Sequence, residues 1–433
     1  MRQDISKGLF AVVGNPILHS KSPNIFNTLF AKKNINFFYL RLAMDNALEI
    51  YKMMNDLDIC GLNVTAPFKT EIIPFLNEVS QEAKEIGAVN TIVRKNKWLI
   101  GHNTDHAGIT ETFKDYEIAL KNKKCLVIGA GGAGQSAIYA LVKNGAKVTV
   151  VNKYLDVAKT ARSNYKSISL EMDKVEKAVK NNEIIIYAID SSKKGIEEKW
   201  LKPSHTIFDM NYKKSFLSEI ARNKGCKLIQ GGNMLINQAI PAFKHFLNFL
   251  PEKKVAWDGF NSNTQKYENN SIILTGFMGT GKTTIGKVLA KKMDFDFVDI
   301  DSMIEKETQM NVSEIFKKKG ETFFRTIEKF FLEKVIDKKN LVISCGGGII
   351  IDKNNRNLIR NKSLTIWIYN DIKISVERIK DSHRPLLEVK TPLQKAKQIF
   401  LDRKYFYAQV SDMVLLNENK TPDSIAGKIN EEI

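Results

Sequence analysis

Two glycine-rich stretches of this chain are spaced to hold phosphate. Gly276-Phe277-Met278-Gly279-Thr280-Gly281-Lys282-Thr283-Thr284 fits the pattern G-x-x-x-x-G-K-[ST]. In that pattern backbone N–H groups cradle phosphate oxygens, here with Gly276, Gly279 and Gly281 letting the main chain approach. Lys282 would reach the β- and γ-phosphates, the Thr283 hydroxyl would bind Mg²⁺, and Thr284 would add a contact to the nucleotide. The chemistry called for is ATP with Mg²⁺. The second stretch, Gly129-Ala130-Gly131-Gly132-Ala133-Gly134, has no such lysine. Gly129, Gly131, Gly132 and Gly134 suit a tight turn and close approach to a pyrophosphate at a helix N-terminus. Asn152-Lys153 stands where an NAD site would place an acid on the ribose 2′-hydroxyl. A neutral amide followed by a cation accommodates a 2′-phosphate, so the expected cofactor is NADP(H).

Both loops need a strand before them and a helix after them, and the pattern supplies these. The apolar residues 272–274 lead into the first loop, and 124–128 lead into the second. The helix after the second loop is ended by Gly145, and 147–151 reads as the next strand. Upstream, residues 9–13, 36–42 and 60–64 read as short strands alternating with helical stretches. The expected class is α/β throughout. Residues 1–106 form a first domain completed by helices at 233–250, and 107–232 form a dinucleotide-binding Rossmann domain. The polar stretch 251–270 reads as a linker, and 271–433 as a P-loop α/β domain.

A length of 433 residues with 43% hydrophobic content fits two or three globular domains. Cys60, Cys125, Cys226 and Cys345 are isolated, which argues against a disulfide framework or a zinc site and suits a cytoplasmic enzyme. No apolar run reaches membrane-spanning length, so no membrane partner is expected. The formal charge of +18 would suit nucleic acid, but the excess is lysine scattered along helices without aromatic-interleaved patches. The simpler reading is a Lys/Asn/Ile-rich composition bias, plus some attraction for anionic substrates, with no nucleic-acid partner.

Four polar clusters precede the dinucleotide loop: His19–Pro23, Asn63–Lys69, Gly87–Thr91 and Gly101–Asp105. Singly, each reads as a cap or turn. Together they resemble the shikimate dehydrogenase family over residues from about 8 to 250. That resemblance implies that Ser20 and Ser22 hold the substrate carboxylate and that Thr65 and Asn90 hold its ring hydroxyls. It makes Lys69 and Asp105 the catalytic pair, with Tyr212 and Gln238 as further substrate contacts. The chain departs from the family at Tyr187–Ser192, at Asn233 and at Lys153, all around the cofactor.

The block from Ser271 onward resembles shikimate kinase. The resemblance implies Asp299 in the Mg²⁺ shell and Asp301 on the acceptor hydroxyl, both expected at a strand end with their carboxylates on one side. Arg325 and Arg403 would grip the shikimate carboxylate, and Gly346, Gly347 and Gly348 would give the ring a backbone surface. Arg384, in Arg384-Pro385-Leu386-Leu387, would close a cation onto the transferring phosphoryl group. The implied chain is bifunctional, taking 3-dehydroshikimate to shikimate and then to shikimate 3-phosphate. Three other readings stand beside it: a quinate/shikimate dehydrogenase or related kinase, an N-terminal half that only binds, and a nucleic-acid-binding P-loop motor.

Overall fold

Runs such as Leu364–Tyr369 and Gly8–Gly14 are buried at every position, the pattern of strands covered on both faces of a parallel sheet. The computed structural model describes residues 7–153, 167–190, 195–212, 215–262, 271–380 and 384–433. The chain divides into two compact units. One comprises residues 1–23, 34–59 and 263–433; the other comprises 24–33 and 60–262.

In the first unit the strands lie in the order Asp296–Asp299, Leu341–Ser344, Ile272–Thr275, Leu364–Tyr369, Met413–Leu416, Phe37–Ala43 and Gly8–Gly14. All neighbours in this series are parallel. The phosphate loop follows the strand Ile272–Thr275 and opens the helix Lys282–Met293, as expected. Against that helix packs the helix Pro422–Glu432. The sheet thus joins strands from opposite ends of the chain. Leu42 pairs with Val414 and Ala43 with Leu415. Around this junction Asp45 meets Lys420 and Lys428, Glu49 meets Lys420 at 2.7 Å, and Lys52 meets Glu418 at 3.2 Å.

The second unit holds a six-stranded parallel sheet in the order Lys227–Gln230, Thr206–Asp209, Ile184–Tyr187, Lys124–Ile128, Lys147–Val151 and Ile168–Leu170. The dinucleotide loop leaves a central strand, Lys124–Ile128, where ligands meet such sheets. Thr91–Lys95 pairs antiparallel with both Ile59–Val64 and Trp98–His102. The helix Gly231–Leu247 lies against the helix Asp105–Asp115, so closely that a methyl group on Gly108 would sit 2.7 Å from Gln238 Cβ. Farther along, Phe243 meets Phe26 and Phe30 at ring separations of 6.2 and 5.9 Å.

The stretch expected to be a linker begins instead with the helix Lys253–Asn261. Its Val255, Ala256 and Gly259 are buried, a one-sided helical face too short to stand out from the polar residues around it. Gly259 is required there, because a methyl group would sit 2.8 Å from the Asn24 carbonyl oxygen. Residues 263–270, the rest of that stretch, lie outside the described residues. Among the described residues no helix is long and apolar enough to cross a membrane.

Candidate active sites

In the second unit, Lys69 and Asp105 form an ion pair at 2.5 Å. Lys69 follows the turn closed by the Phe68 N–H on the Thr65 carbonyl at 3.0 Å, and Thr65 itself is half-buried. Asp105 opens its helix, and its N–H donates to Asn103 Oδ1 at 3.1 Å. Its other carboxylate oxygen accepts from Asn90 Nδ2 at 2.7 Å. Asn90 Nδ2 also lies 3.4 Å from Gln238 Oε1 and 3.0 Å from Thr104 Oγ1. Asn90, Asp105 and Gln238 are buried, so the network is fixed from three separate elements. Thr104 is an addition to the expected set: its N–H donates to Asn90 Oδ1 at 2.7 Å. Tyr212 lies edge-on to Phe260 of the helix Lys253–Asn261 at 6.4 Å.

The dinucleotide loop lies directly beside this pair. A methyl group on Gly132 would sit 2.9 Å from Lys69 Cβ. One on Gly134 would overlap the Gly129 carbonyl, so glycine here lets the helix close on the loop. Gly129 has φ +98°, while a methyl on Gly131 would point into open space. The helix Gly132–Lys143 starts from Gly131 with no side-chain cap, which leaves its first N–H groups for a phosphate. Asn152 Oδ1 accepts from the Ala130 N–H at 3.2 Å, and Lys153 follows it at the end of the strand Lys147–Val151. These features fit a dinucleotide. Within the divergent segment, Ala188 and Ile189 pack on the loop, with Ile189 Cγ2 2.5 Å from where a Gly129 methyl would be. Tyr187 is buried and its hydroxyl accepts from the Gly195 N–H at 3.1 Å. Ser191 and Ser192 lie outside the described residues. Asn233 Oδ1 accepts from the Tyr116 hydroxyl at 3.3 Å.

Ser20 and Ser22 belong to the first unit and are both buried. The Ser22 N–H donates to Ser20 Oγ at 3.3 Å. Arg41 donates from Nη2 to the Ser20 carbonyl at 2.7 Å.

The phosphate loop carries positive φ at Gly276, Gly279 and Gly281. Like the other loop, it opens its helix without a side-chain cap. Lys282 is folded onto the loop, donating to the Gly276 and Phe277 carbonyls at 3.0 and 2.8 Å. Burial pulls its pKa down to about 8, with Arg384 adding to the effect. An anion seated on the loop would raise it again. Thr283 Oγ1 donates to Asp299 Oδ2 at 2.7 Å, and both Thr283 and Thr284 are exposed. Two hard oxygens, with substrate phosphates completing the shell, fit the way Mg²⁺ is bound.

Beyond the loop is a cavity of about 70 Å³ lined by Asp301, Arg325, Glu328, Arg384, Arg403 and Gly346 to Gly348. A cleft of about 1080 Å³ shares Asp301 and Arg384 with it and reaches Thr283 and Asp299. Asp301 Oδ1, Glu328 Oε1 and Arg384 Nε are buried with no hydrogen-bond partner. Three such atoms on one small cavity call for a polar ligand. Burial, then the charge of Asp299, raises the Asp301 pKa to about 6. Arg325 Nη1 donates to Glu328 Oε2 at 2.7 Å, and the guanidinium lies over Phe324 and Phe316. Arg403 Nη1 and the Tyr407 hydroxyl both donate to the Gly347 carbonyl, at 3.2 and 2.5 Å. The glycines are dictated by these side chains. A methyl on Gly346 would sit 2.7 Å from Asp301 Oδ1 and 2.8 Å from Glu328 Oε1, and one on Gly348 would overlap the Arg325 guanidinium.

Three family profiles match the chain: the shikimate dehydrogenase substrate binding domain over residues 12–92, shikimate / quinate 5-dehydrogenase over 111–222, and shikimate kinase over 278–433. The NADP(+) shikimate dehydrogenase of Aquifex aeolicus is 36% identical over 250 residues, which span 54% of this chain and 90% of that protein. The shikimate kinase of Sulfurihydrogenibium sp. is 39% identical over 164 residues, 38% of this chain and 97% of that one. The chain belongs to the shikimate dehydrogenase and shikimate kinase families, in that order. The crystal structure of the Aquifex aeolicus dehydrogenase matches 60% of this chain and 100% of its own at a TM-score of 0.56 and 33% identity. That of the Thermus thermophilus shikimate 5-dehydrogenase, in complex with NADP(H) and shikimate, matches 58% and 98% at 0.53 and 28%.

In the shikimate kinase half, one expectation is corrected. The strand ends at Asp299, and Asp301 lies in the first turn of the helix Ile300–Thr308. Asp299 caps that helix, accepting from the Ser302 N–H at 3.1 Å, so the two carboxylates are set by a helix start and not by strand alternation. Glu328 is the site residue that composition alone does not reveal. It is fully buried, and burial raises its carboxyl to about 7 against the pull of Arg325. Its signal in the sequence is its spacing of three from Arg325, which places both on one helix face. The segment before Arg384, Asp381-Ser382-His383, lies outside the described residues.

Proposed function

We propose that this chain performs consecutive steps of the shikimate pathway: NADPH-dependent reduction of 3-dehydroshikimate to shikimate, then phosphorylation of shikimate at its 3-hydroxyl by Mg-ATP. The observation that carries the reading is the Lys69–Asp105 pair lying against Gly132 of the dinucleotide loop, in a chain whose P-loop abuts a cavity of acids and arginines. In the first reaction bound NADPH supplies the hydride. Lys69 stabilises the negative charge that develops on the ketone oxygen and gives that oxygen a proton. Asp105, paired with Lys69 at 2.5 Å, orients the ammonium. Ser20 and Ser22 hold the substrate carboxylate, Thr65 and Asn90 its hydroxyls, and Tyr212 and Gln238 are further substrate contacts. Gly129, Gly131, Gly132 and Gly134 seat the pyrophosphate; Asn152 and Lys153 take the 2′-phosphate.

In the second reaction Arg325 and Arg403 fix the shikimate carboxylate over Gly346, Gly347 and Gly348. Asp301 accepts the proton of the attacking hydroxyl. Lys282 and Arg384 neutralise charge on the transferring phosphoryl group, and Thr283 and Asp299 hold Mg²⁺. The free cysteines fit a cytoplasmic location.

The direct test supplies the purified chain with shikimate and measures NADP⁺ reduction and, separately, ATP consumption. Both activities in one preparation support the proposal; ATP use without hydride transfer to NADP⁺ or NAD⁺ would reduce the N-terminal half to a binding module. Asp301 sets the pH dependence of the kinase. Its carboxyl, held at about 6, must be ionised to take a proton, so kcat/KM for shikimate is expected to fall about tenfold per pH unit below about 6 and to level off above it. A profile flat from pH 5 to 7 would remove Asp301 from that role. In Gly348→Ala the added methyl displaces the Arg325 guanidinium. The kinase KM for shikimate should rise at least about tenfold, with the KM for ATP unchanged.

A further inference from the structure

The loop that carries Ser20 and Ser22 is held by residues of the kinase half. Glu432, on the helix Pro422–Glu432, accepts from the Ile17 N–H at 2.7 and 3.0 Å and from the Leu18 N–H at 2.7 Å. Ile17 is fully buried, so the bidentate carboxylate satisfies backbone donors at the point where the strand Gly8–Gly14 turns into the serine loop. On the other side of the loop, Arg41 donates through Nε and Nη2 to the Ser20 carbonyl, at 3.0 and 2.7 Å, and through Nη1 to the Asp412 carbonyl at 3.2 Å. Asp412 is itself fixed, its carboxylate accepting from the Thr365 N–H at 3.0 Å. The loop is therefore clamped between two points of the kinase half, one at its entry and one at Ser20.

We propose that Glu432 is a positioning residue for the dehydrogenase: the kinase half supplies the carboxylate that presets the serine loop for the substrate carboxylate. The inference rests on the reading of Ser20 and Ser22 as substrate ligands. A loop left without this clamp must be ordered by the substrate itself, so binding weakens while the chemical step, run by Lys69 and Asp105, is untouched.

The test uses the full chain with Glu432→Ala, Glu432→Gln and Ser22→Ala, each assayed for both activities. In Glu432→Ala the dehydrogenase KM for shikimate is expected to rise about tenfold, with kcat, the KM for NADP⁺ and the kinase rate unchanged. Glu432→Gln keeps one acceptor oxygen in the same space, so its KM should rise only about two- to threefold. If Ser22→Ala raises the KM and neither Glu432 variant does, the positioning role is wrong and the serine reading survives. If Ser22→Ala also leaves the KM unchanged, the serine reading falls and the inference with it. Should alanine abolish the kinase rate as well, the fold is lost and glutamine decides: an intermediate KM supports the clamp, a wild-type KM overturns it.

Discussion

In Lys69→Ala, shikimate-dependent reduction of NADP⁺ is expected to fall by about 10³-fold, while shikimate-dependent ATP consumption by the same preparation stays at the wild-type rate. The size is that of losing either task alone, stabilising the oxyanion or delivering its proton, about 10²–10³ each; one ammonium performs both as a unit, so the losses do not multiply. The loss should appear in kcat more than in KM, because the substrate carboxylate and hydroxyls are assigned to other side chains. The substitution also leaves Asp105, 4% exposed, without its cation, although Asn90 and the Asn103 side chain still bond to that residue. Lys69→Met, which refills the space, separates the two effects: a similar loss of rate with better retained stability identifies the missing proton. Hydride transfer within about tenfold of wild type in both variants would remove Lys69 from catalysis.

Asp301→Asn is expected to cut shikimate-dependent ATP consumption by about 10³-fold and to leave hydride transfer intact. Asparagine is isosteric and cannot take a proton. Its effect on stability has the opposite sense. The folded-state pKa of Asp301 is raised to about 6, above its unfolded value, so its contribution to stability is present at low pH and is lost as pH rises through 6. At pH 8 the charged carboxylate is the less stable occupant of that cavity, and Asn should not lower the thermal midpoint. A variant that is inactive and unfolded would contradict this. One that is folded and fully active would exclude Asp301 as the base.

The two glycine loops are legible because everything they need is contiguous: strand, turn and helix start within about fifteen residues. Lys69 and Asp105 are 36 positions apart; Lys69 is marked by the Thr65-Ala66-Pro67 before it, but nothing near either residue names the other. Only the resemblance of the surrounding clusters joins them in sequence, and the structure places them in one ion pair. Asp301 reads as a strand residue, because Asp-Ile-Asp fits strand alternation as well as it fits a capped helix start. The bond from the Ser302 N–H to Asp299 separates these, and it forms only once the neighbours are packed. The same holds for Glu328, which in sequence is an ordinary helix-surface glutamate near an arginine. The helix Lys253–Asn261 is hidden by its length, since nine residues give a buried face of only two turns. The pairing of Leu42 with Val414 could not be foreseen at all. Both strands announce that they are buried, but apolar residues do not name the neighbour they will face.

That pairing sets an order of events during synthesis. Leu42 and Val414 are separated by about 370 residues, and chain growth proceeds at about 5–20 residues per second. The strand Phe37–Ala43 therefore waits on the order of tens of seconds for the neighbour it will finally hold. In the interval the nascent chain presents an open row of amides and carbonyls to chaperones or to other copies of itself. Point changes that weaken either partner strand should show themselves first as lost yield and aggregation during expression, before any loss of activity in the molecules that complete the sheet.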